Sequence, residues 1–211
     1  MKNTLWRFGD SWSTTKDHIY SHIELNHSDY IAEYFNMNLN HLGDGGYSNL
    51  DIFKIILENS NKYKSDDIIL INFASINRVA TVNKNGSINT SNGSDSVFKD
   101  KTLMQVVSND MGTPISDILF YLIDTYLKSL IENGIRVYYF FNDNTRGDFS
   151  LTLNSELIFE NDMNGSFIGW CIENGHQDLT PIGNVHFTLG SQKSIANKII
   201  ELIEQYDNKE K

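Results

Sequence analysis

Residues 68–73 read IILINF, a run dominated by β-branched and large apolar side chains. A short apolar run of this kind is typical of a strand that is buried on both faces, as in the parallel sheet of an α/β protein. The run therefore predicts a central strand with helices packed on both sides of it.

The segments ahead of this strand alternate between strand-like and helix-like patterns. Apolar residues predict strands over residues 5–8 and 37–42, each followed by a turn that contains Gly and Asp. Ser28 and Ser48 are suitable N-caps for two helices, the second of which has an apolar face of Ile and Phe side chains. The chain thus reaches the central strand through two strand-to-helix units.

The alternation continues after the central strand. Thr113 as N-cap and Pro114 at the first helical position open a long amphipathic helix, and Gly134 is placed to end it. Three further elements are predicted: a strand over residues 135–141, a fifth strand over 167–172 and a last helix over 191–206.

Strands that alternate with helices predict a three-layer α/β/α sandwich with a mostly parallel central sheet of about five strands. The 211 residues suit a single domain, 1–211. Two stretches, at about 83–109 and 142–164, are polar; we expect the first to be a surface loop inserted into the domain. In sheets of this class ligands bind at the carboxyl ends of the strands, so we expect the functional site there.

The composition excludes several classes of protein. A formal net charge of −10 opposes binding to nucleic acid or to an anionic membrane, and no apolar run approaches the length of a membrane-spanning helix. The single cysteine, Cys171, excludes an internal disulfide and a multi-thiolate metal site. The N-terminus lacks the pattern of a secretory signal peptide, which predicts a cytoplasmic protein.

Ser11 follows the first predicted strand, in the tripeptide Gly9-Asp10-Ser11. Gly9 permits a tight turn and the Asp10 side chain can bond back to it, so we expect the Ser11 hydroxyl to be exposed at the strand end. A serine becomes a good nucleophile when a base removes its proton. Trp12 is a candidate wall for an acyl group or a stacking surface for a sugar.

Gly46 and Asn77 are candidate donors to an oxyanion. Gly46 lies in the stretch GDGGYSN just ahead of a helix, where a backbone N–H can approach a ligand and the helix start favours an anion. Asn77 comes just past the central strand, and its neutral amide can donate to a negative charge as the charge forms. Their neighbours Tyr47 and Arg78, together with Asp10 beside Ser11, are candidate substrate-binding residues.

His186 is the candidate base. It lies directly before the last predicted helix, at the end of the sheet where Ser11 is expected. The near-neutral pKa of an imidazole suits it to take a proton and return it.

Taken in this order, the four pieces resemble the SGNH hydrolases, the GDSL-type esterase and lipase superfamily. Ser11 matches the nucleophile of the family, Gly46 and Asn77 match its oxyanion residues, and His186 matches its base. The resemblance runs from residue 9 to about 200 and implies the flavodoxin-like three-layer fold of these enzymes. It also implies that the N–H groups of Ser11 and Gly46 and the amide of Asn77 hold the oxyanion, and that neither a metal nor a cofactor is needed.

The acidic residue of the family has no match at its usual place. The positions three and two residues before His186 hold Gly183 and Asn184. Either Asp178 orients the imidazole, or Asn184 accepts the imidazole N–H through its amide oxygen. Asp178 is favoured because a carboxylate also stabilises the imidazolium.

Polar, Asn-rich loops favour a small acylated substrate or an acylated polysaccharide over a long-chain lipid, which needs an extended apolar cleft. Short acyl esters, including O-acetyl groups on a carbohydrate, are therefore the expected substrates. The chain also resembles SGNH-like proteins of bacteriophages, which implies association with a virion if it is phage-encoded. The missing carboxylate motivates an alternative function, that of a catalytically weak or inactive module that binds carbohydrate or builds part of a virion.

Overall fold

The computed structural model describes residues 2–9, 25–43, 47–74, 78–82, 88–92, 112–142, 151–160, 165–176 and 190–209. For residues 78–82, 88–92 and 112–119 it describes the backbone alone. The elements in chain order are β1 (Thr4–Gly9), α1 (His27–Tyr34), β2 (Asn38–His41), α2 (Asn49–Glu58), a short 3-10 helix (Ser60–Lys62), β3 (Ile68–Phe73), β4 (Arg78–Val82), β5 (Ile88–Asn92), α3 (Gly112–Glu132), β6 (Arg136–Phe141), α4 (Phe167–Glu173) and α5 (Ser191–Lys209).

β3, the strand predicted from the apolar run, lies inside a parallel sheet with the strand order β2-β1-β3-β6. The register aligns Asn72 of β3 with Gly9 of β1, and Phe73 of β3 with Phe141 of β6. Helices α1, α2 and α3 lie in the three connections between successive parallel strands. Among the described residues the sheet has four strands, against the five predicted.

Helices cover both faces of the sheet. On one face apolar side chains of the strands pack with α1, α4 and α5, which we call the α5 layer; on the other face they pack with α2 and α3, which we call the α3 layer. In β3 the side chains of Ile68 and Leu70 belong to the α5 layer, whereas those of Ile69 and Ile71 belong to the α3 layer. A strand that is buried on both faces needs apolar residues at every position, which explains the continuous run. The predicted three-layer α/β/α architecture is confirmed.

The N-cap of α1 is Asn26, and the prediction of Ser28 was wrong. The Asn26 side-chain oxygen accepts hydrogen bonds from the N–H groups of Ser28 at 2.7 Å and Asp29 at 3.1 Å. The Asp29 carboxylate accepts in return from the Asn26 N–H at 2.8 Å, which completes a capping box. Ser48 caps α2 as predicted, through the same arrangement with Asp51.

Helix α3 begins at Gly112, so Thr113 lies inside it and is not the cap that was predicted. The helix ends at Glu132, and Gly134 follows with a φ of +80°. A Cβ atom at this position would come within 2.8 Å of the Ser65 hydroxyl. Both the backbone conformation and the available space therefore require glycine, in agreement with the predicted helix end.

Residues 167–172 belong to helix α4 and do not form the fifth strand that was predicted. The Ser166 hydroxyl accepts a hydrogen bond from the Gly169 N–H at 3.0 Å and so caps the helix. Phe167, Trp170 and Cys171 are buried in the α5 layer, and their spacing is that of one helix face. A six-residue apolar run fits either structure, and here the cap favours the helix.

Residues 151–160, predicted as part of a polar loop, cover the outer edge of β6. The N–H of Tyr139 donates to the Ser155 carbonyl at 3.2 Å, and the N–H of Leu157 donates to the Tyr139 carbonyl at 2.7 Å. Leu151 is buried in the α3 layer and Leu157 in the α5 layer, so the segment passes from one face of the sheet to the other. It therefore forms one parallel bridge in place of a strand, and it shields the exposed edge of the sheet.

The predicted insertion at about 83–109 contains regular structure. β5 pairs antiparallel with β4, in a register that runs from Arg78 opposite Asn92 to Val82 opposite Ile88. The expectation of an irregular loop was therefore wrong for residues 88–92. The rest of the insertion lies outside the described residues.

Candidate active site

The carboxyl ends of β1, β2, β3 and β6 share one edge of the sheet, because all four strands are parallel. The last residues of these strands are Gly9, His41, Phe73 and Phe141. We call this edge the carboxyl edge. It is the part of an α/β sheet where ligands usually bind.

Most of the predicted site residues lie outside the described part of the chain: Asp10, Ser11, Trp12, Gly46, Asn77, Asp178, Asn184 and His186. Of the others, Tyr47 is half-buried against the α3 layer, and Arg78 is the first residue of β4. Three of the residues outside it follow strands of the sheet closely. Ser11, Gly46 and Asn77 come two, five and four positions after the last residues of β1, β2 and β3.

Asn49 joins two segments of the chain, each of which lies next to one of these predicted residues. Its amide nitrogen donates to the Ala74 carbonyl at 3.0 Å, and its amide oxygen accepts from the Ala74 N–H at 2.8 Å. Both residues are buried, so water does not compete for the two bonds. Asn49 comes three residues after Gly46, and Ala74 comes three residues before Asn77. The paired amide therefore holds the flanks of both predicted oxyanion loops together at the carboxyl edge.

Helix α5 runs antiparallel to the strands. Near its end, Asp207 accepts a hydrogen bond at 2.6 Å from Arg136, the first residue of β6. At its start, Gln192 accepts two bonds from His27, the first residue of α1. The 19 residues of α5 span about 28 Å, against about 20 Å for the six residues of β6. The chain that precedes Ser191 therefore enters the helix from the side of the carboxyl edge, which is the side where His186 was predicted.

Arg7 lies completely buried in β1, beneath the carboxyl edge. Its guanidinium donates from Nη1 to the carbonyls of Phe8 at 2.8 Å and Leu70 at 3.3 Å, and it lies 5.3 Å from the ring centre of Phe140. Its neighbour in the sheet register is His41 of β2. Because a guanidinium keeps its proton, a permanent positive charge lies inside the α5 layer. The sequence signal for this group was an arginine within an otherwise apolar strand, and it was missed.

His27 is a second buried polar group of this layer. The Gln192 amide oxygen accepts from both the N–H and the Nδ1 of His27, each at 2.9 Å, so the ring carries its proton on Nδ1. Burial lowers the pKa of His27 to about 3, and the charge of Arg7 acts in the same direction. The imidazole is therefore neutral in the folded protein at neutral pH.

The low pKa of His27 predicts a loss of stability in mild acid. Below pH 6.5 the unfolded chain binds a proton on His27 that the folded protein does not bind until about pH 3. The free energy of unfolding then falls by up to about 1.4 kcal/mol per pH unit, which amounts to about 2 kcal/mol at pH 5. We expect His27→Gln to lose about that much less stability than the parent between pH 7.5 and 5, measured by urea unfolding. Parallel pH dependences of the two proteins would contradict this account.

A further histidine, His176, follows α4 and contacts the first turn of α5. Its Nδ1 is 3.2 Å from the Ser191 hydroxyl, its Nε2 is 3.1 Å from the Ser194 hydroxyl, and its ring packs 5.1 Å from that of Trp170. Desolvation lowers its pKa. Both ring nitrogens thus have hydroxyl partners.

Within the described ranges, no group of three His, Cys, Asp or Glu side chains is arranged to hold a metal ion. Among the same residues, no helix combines the length and the apolar character needed to cross a bilayer.

No protein-family model matches the chain, and no curated protein matches it. Among solved structures, the chain is similar to an acetyl xylan esterase, AlAXEase, with 11% sequence identity and a TM-score of 0.45 over 95% of this chain and 99% of that one. It is also similar to a carbohydrate esterase whose active site displays divergent catalytic and non-catalytic binding functions, with 11% identity and a TM-score of 0.46 over 96% and 68% of the two chains. Because both TM-scores are below 0.5, the assignment of the architecture rests on the strand order and the layers of this structure.

Proposed function

We propose that this chain is a serine ester hydrolase of the SGNH type that removes short acyl groups, with O-acetyl groups on carbohydrates as its substrate class. The observation that carries the proposal is the pairing of Asn49 with Ala74, which joins the flanks of the loops that contain Gly46 and Asn77. β1 lies between β2 and β3 in the sheet, and its last residue, Gly9, comes two residues before Ser11. Three of the four predicted parts of the site therefore extend from neighbouring points of one edge.

In the proposed reaction the Ser11 hydroxyl attacks the ester carbonyl carbon while His186 takes the hydroxyl proton. The carbonyl oxygen becomes an oxyanion, which accepts hydrogen bonds from the N–H groups of Ser11 and Gly46 and from the Asn77 amide. When the intermediate collapses, its bond to the alcohol oxygen breaks and His186 returns the proton to that oxygen. A water molecule, deprotonated by His186, then attacks the acyl carbon; the bond from this carbon to the Ser11 oxygen breaks, His186 returns the proton to that oxygen, and the carboxylic acid leaves.

Arg7 supports the same assignment through electrostatics. Its buried charge lies in β1 four residues before Ser11, in a layer of low dielectric where a charge acts over a longer distance than in water. A positive potential beneath the site favours the developing oxyanion over the neutral ester. The Arg7 guanidinium would act through this potential and needs no contact with the substrate.

The test is a chain-length series of 4-nitrophenyl esters together with an acetylated xylo-oligosaccharide. We expect hydrolysis of the acetate ester, much slower hydrolysis of the octanoate, and release of acetate from the oligosaccharide. Binding of the acetylated oligosaccharide without any release of acetate, and without hydrolysis of any ester, would contradict the proposal. That result would favour the alternative of a non-catalytic carbohydrate-binding module.

A further inference from the structure

An open cleft lies at the edge of the sheet opposite the carboxyl edge, and we call it the amino-edge cleft. Its volume is about 660 Å³, which is within the range of sites that bind small molecules. Among the residues that line it, Asn3 directly precedes β1, Met37 directly precedes β2, and Arg136 is the first residue of β6. The cleft is therefore at the other end of the strands from the candidate active site.

The cleft is lined by polar side chains that the rest of the protein does not use. Exposed side chains of this kind belong to Lys2, Asn3, Asn36 and Asp66. Within the part of the chain that the structure describes, none of the four makes a side-chain hydrogen bond or an ion pair. Together they offer ammonium and amide donors and amide and carboxylate acceptors, and a hydroxyl group both donates and accepts. The cleft therefore suits a ligand that carries several hydroxyl groups.

The charges at the amino-edge cleft are balanced. The Arg136 guanidinium forms an ion pair with Asp207 at 2.6 Å, and Lys2 and Asp66 carry opposite charges. The whole chain has a formal net charge of −10. Since the cleft has no excess of positive charge and the protein around it is acidic, an uncharged ligand is favoured over an anion.

Phe35 adds an aromatic side chain to the lining of the cleft. Its ring is half-buried, and the central carbon of the Arg136 guanidinium lies 5.6 Å from the ring centre. An aromatic side chain offers an apolar surface with a defined orientation, on which the C–H groups of a sugar ring can pack. A sugar is a ligand that combines such C–H groups with several hydroxyl groups and carries no charge.

We propose that the amino-edge cleft binds an uncharged sugar unit of an oligosaccharide or polysaccharide. Asn3, Asn36 and Asp66 pair with the hydroxyl groups of the sugar, and Phe35 packs against its ring. Binding in this cleft would keep the chain on a polymer while the carboxyl edge acts on it. That consequence rests on the proposed function, whereas the binding itself does not.

Asn36 and Asp66 permit variants that remove a side chain without straining the backbone. Their φ angles are +53° and +67°, a region that glycine adopts readily. Asn36→Gly and Asp66→Gly are therefore expected to fold, which a melting curve of each variant checks. Asn154→Gly is the matched control, because Asn154 is also exposed, makes no side-chain hydrogen bond among the described residues and does not line the cleft.

The probes are xylohexaose, cellohexaose and mannohexaose, none of which has an ester to hydrolyse, and the readout is the amide NMR spectrum of the ¹⁵N-labelled protein. We expect at least one probe to bind the parent with a Kd of about 1 mM or lower and to shift the amide signals of Asn3, Asn36 and Asp66. Each of the two cleft variants should weaken this binding by about tenfold, and Asn154→Gly should leave it unchanged. Added NaCl should not change the Kd, because the ligand is uncharged.

The inference is overturned if no probe binds the parent, if the shifted signals lie only at the carboxyl edge, or if both cleft variants bind as the parent does. Ester hydrolysis by the parent, measured separately, distinguishes this inference from the proposed function. If a probe binds in the cleft and no ester is hydrolysed, the proposed function fails and the second site stands. If esters are hydrolysed and no probe shifts the signals of the cleft, the second site fails and the proposed function stands.

Discussion

Ser11→Ala is expected to lower kcat for 4-nitrophenyl acetate by at least about 10⁴-fold. The variant removes the attacking oxygen, and the oxyanion donors that remain give only a small fraction of the rate. Because Ser11 comes two positions after the last residue of β1, we expect the thermal unfolding temperature to stay close to that of the parent. Initial rates at saturating substrate, with a melting curve for each protein, measure both effects.

His186→Ala should reduce kcat to a similar extent, because a serine hydroxyl is a weak nucleophile without a base. The matched control is His176→Ala, which removes the imidazole that bonds Ser191 and Ser194 at the start of α5. We expect this control to keep most of the parent activity. Loss of activity in His176→Ala together with retention in His186→Ala would show that the base had been assigned to the wrong histidine.

The second large effect concerns the group that orients His186. With Asp178 in this role, Asp178→Asn is expected to lower kcat by about 10⁴-fold, as the corresponding exchange does in a Ser-His-Asp enzyme of another fold. The amide favours the wrong tautomer of the imidazole and cannot stabilise its charged form. Steady-state rates across the pH range should show the loss at every pH at which the parent is active.

Asn184→Asp is the complementary variant. If Asp178 orients the imidazole, this change should leave kcat within a few-fold of the parent. A large gain in kcat in Asn184→Asp, with little effect of Asp178→Asn, would contradict the role of Asp178. It would assign the orienting contact to Asn184.

The central strand and the order of the layers were predictable because their signals are local and strong. Residues 68–73 are apolar at every position, as a strand covered on both faces requires, and β3 has those same bounds. Ser48 is a suitable N-cap from its residue type alone, and α2 begins directly after it as predicted. These patterns needed no knowledge of distant contacts.

Two of the errors concern segments whose hydrophobic pattern alone does not decide the structure. Phe167 to Ile172 is apolar and short, so its pattern does not distinguish a helix from a strand; the Ser166 cap and the contacts with the α5 layer favour the helix. Residues 151–160 alternate in burial, but they cross from the α3 layer to the α5 layer at the edge of β6. An alternation of buried and exposed residues can be read from a sequence pattern, whereas the passage of a segment from one layer to the other cannot.

The sequence predicts the candidate site residues in their order along the chain, and they stay a prediction, whereas the supporting groups next to them were missed. Ser11, Gly46 and Asn77 each follow a strand of one parallel sheet, as the alternation of elements implied. The roles of Asn49 and Arg7 depend on partners far away in sequence: Asn49 bonds a residue 25 positions away, and Arg7 bonds one 63 positions away. Such pairs become visible only when the strands are assembled.

The most direct test of the account is to locate the covalent adduct after reaction with a fluorophosphonate, by mass spectrometry of proteolytic peptides. The account predicts one adduct, on the Ser11 hydroxyl, and its loss when His186 is replaced by alanine. An adduct on a different residue, or no adduct on the folded parent protein, would contradict it.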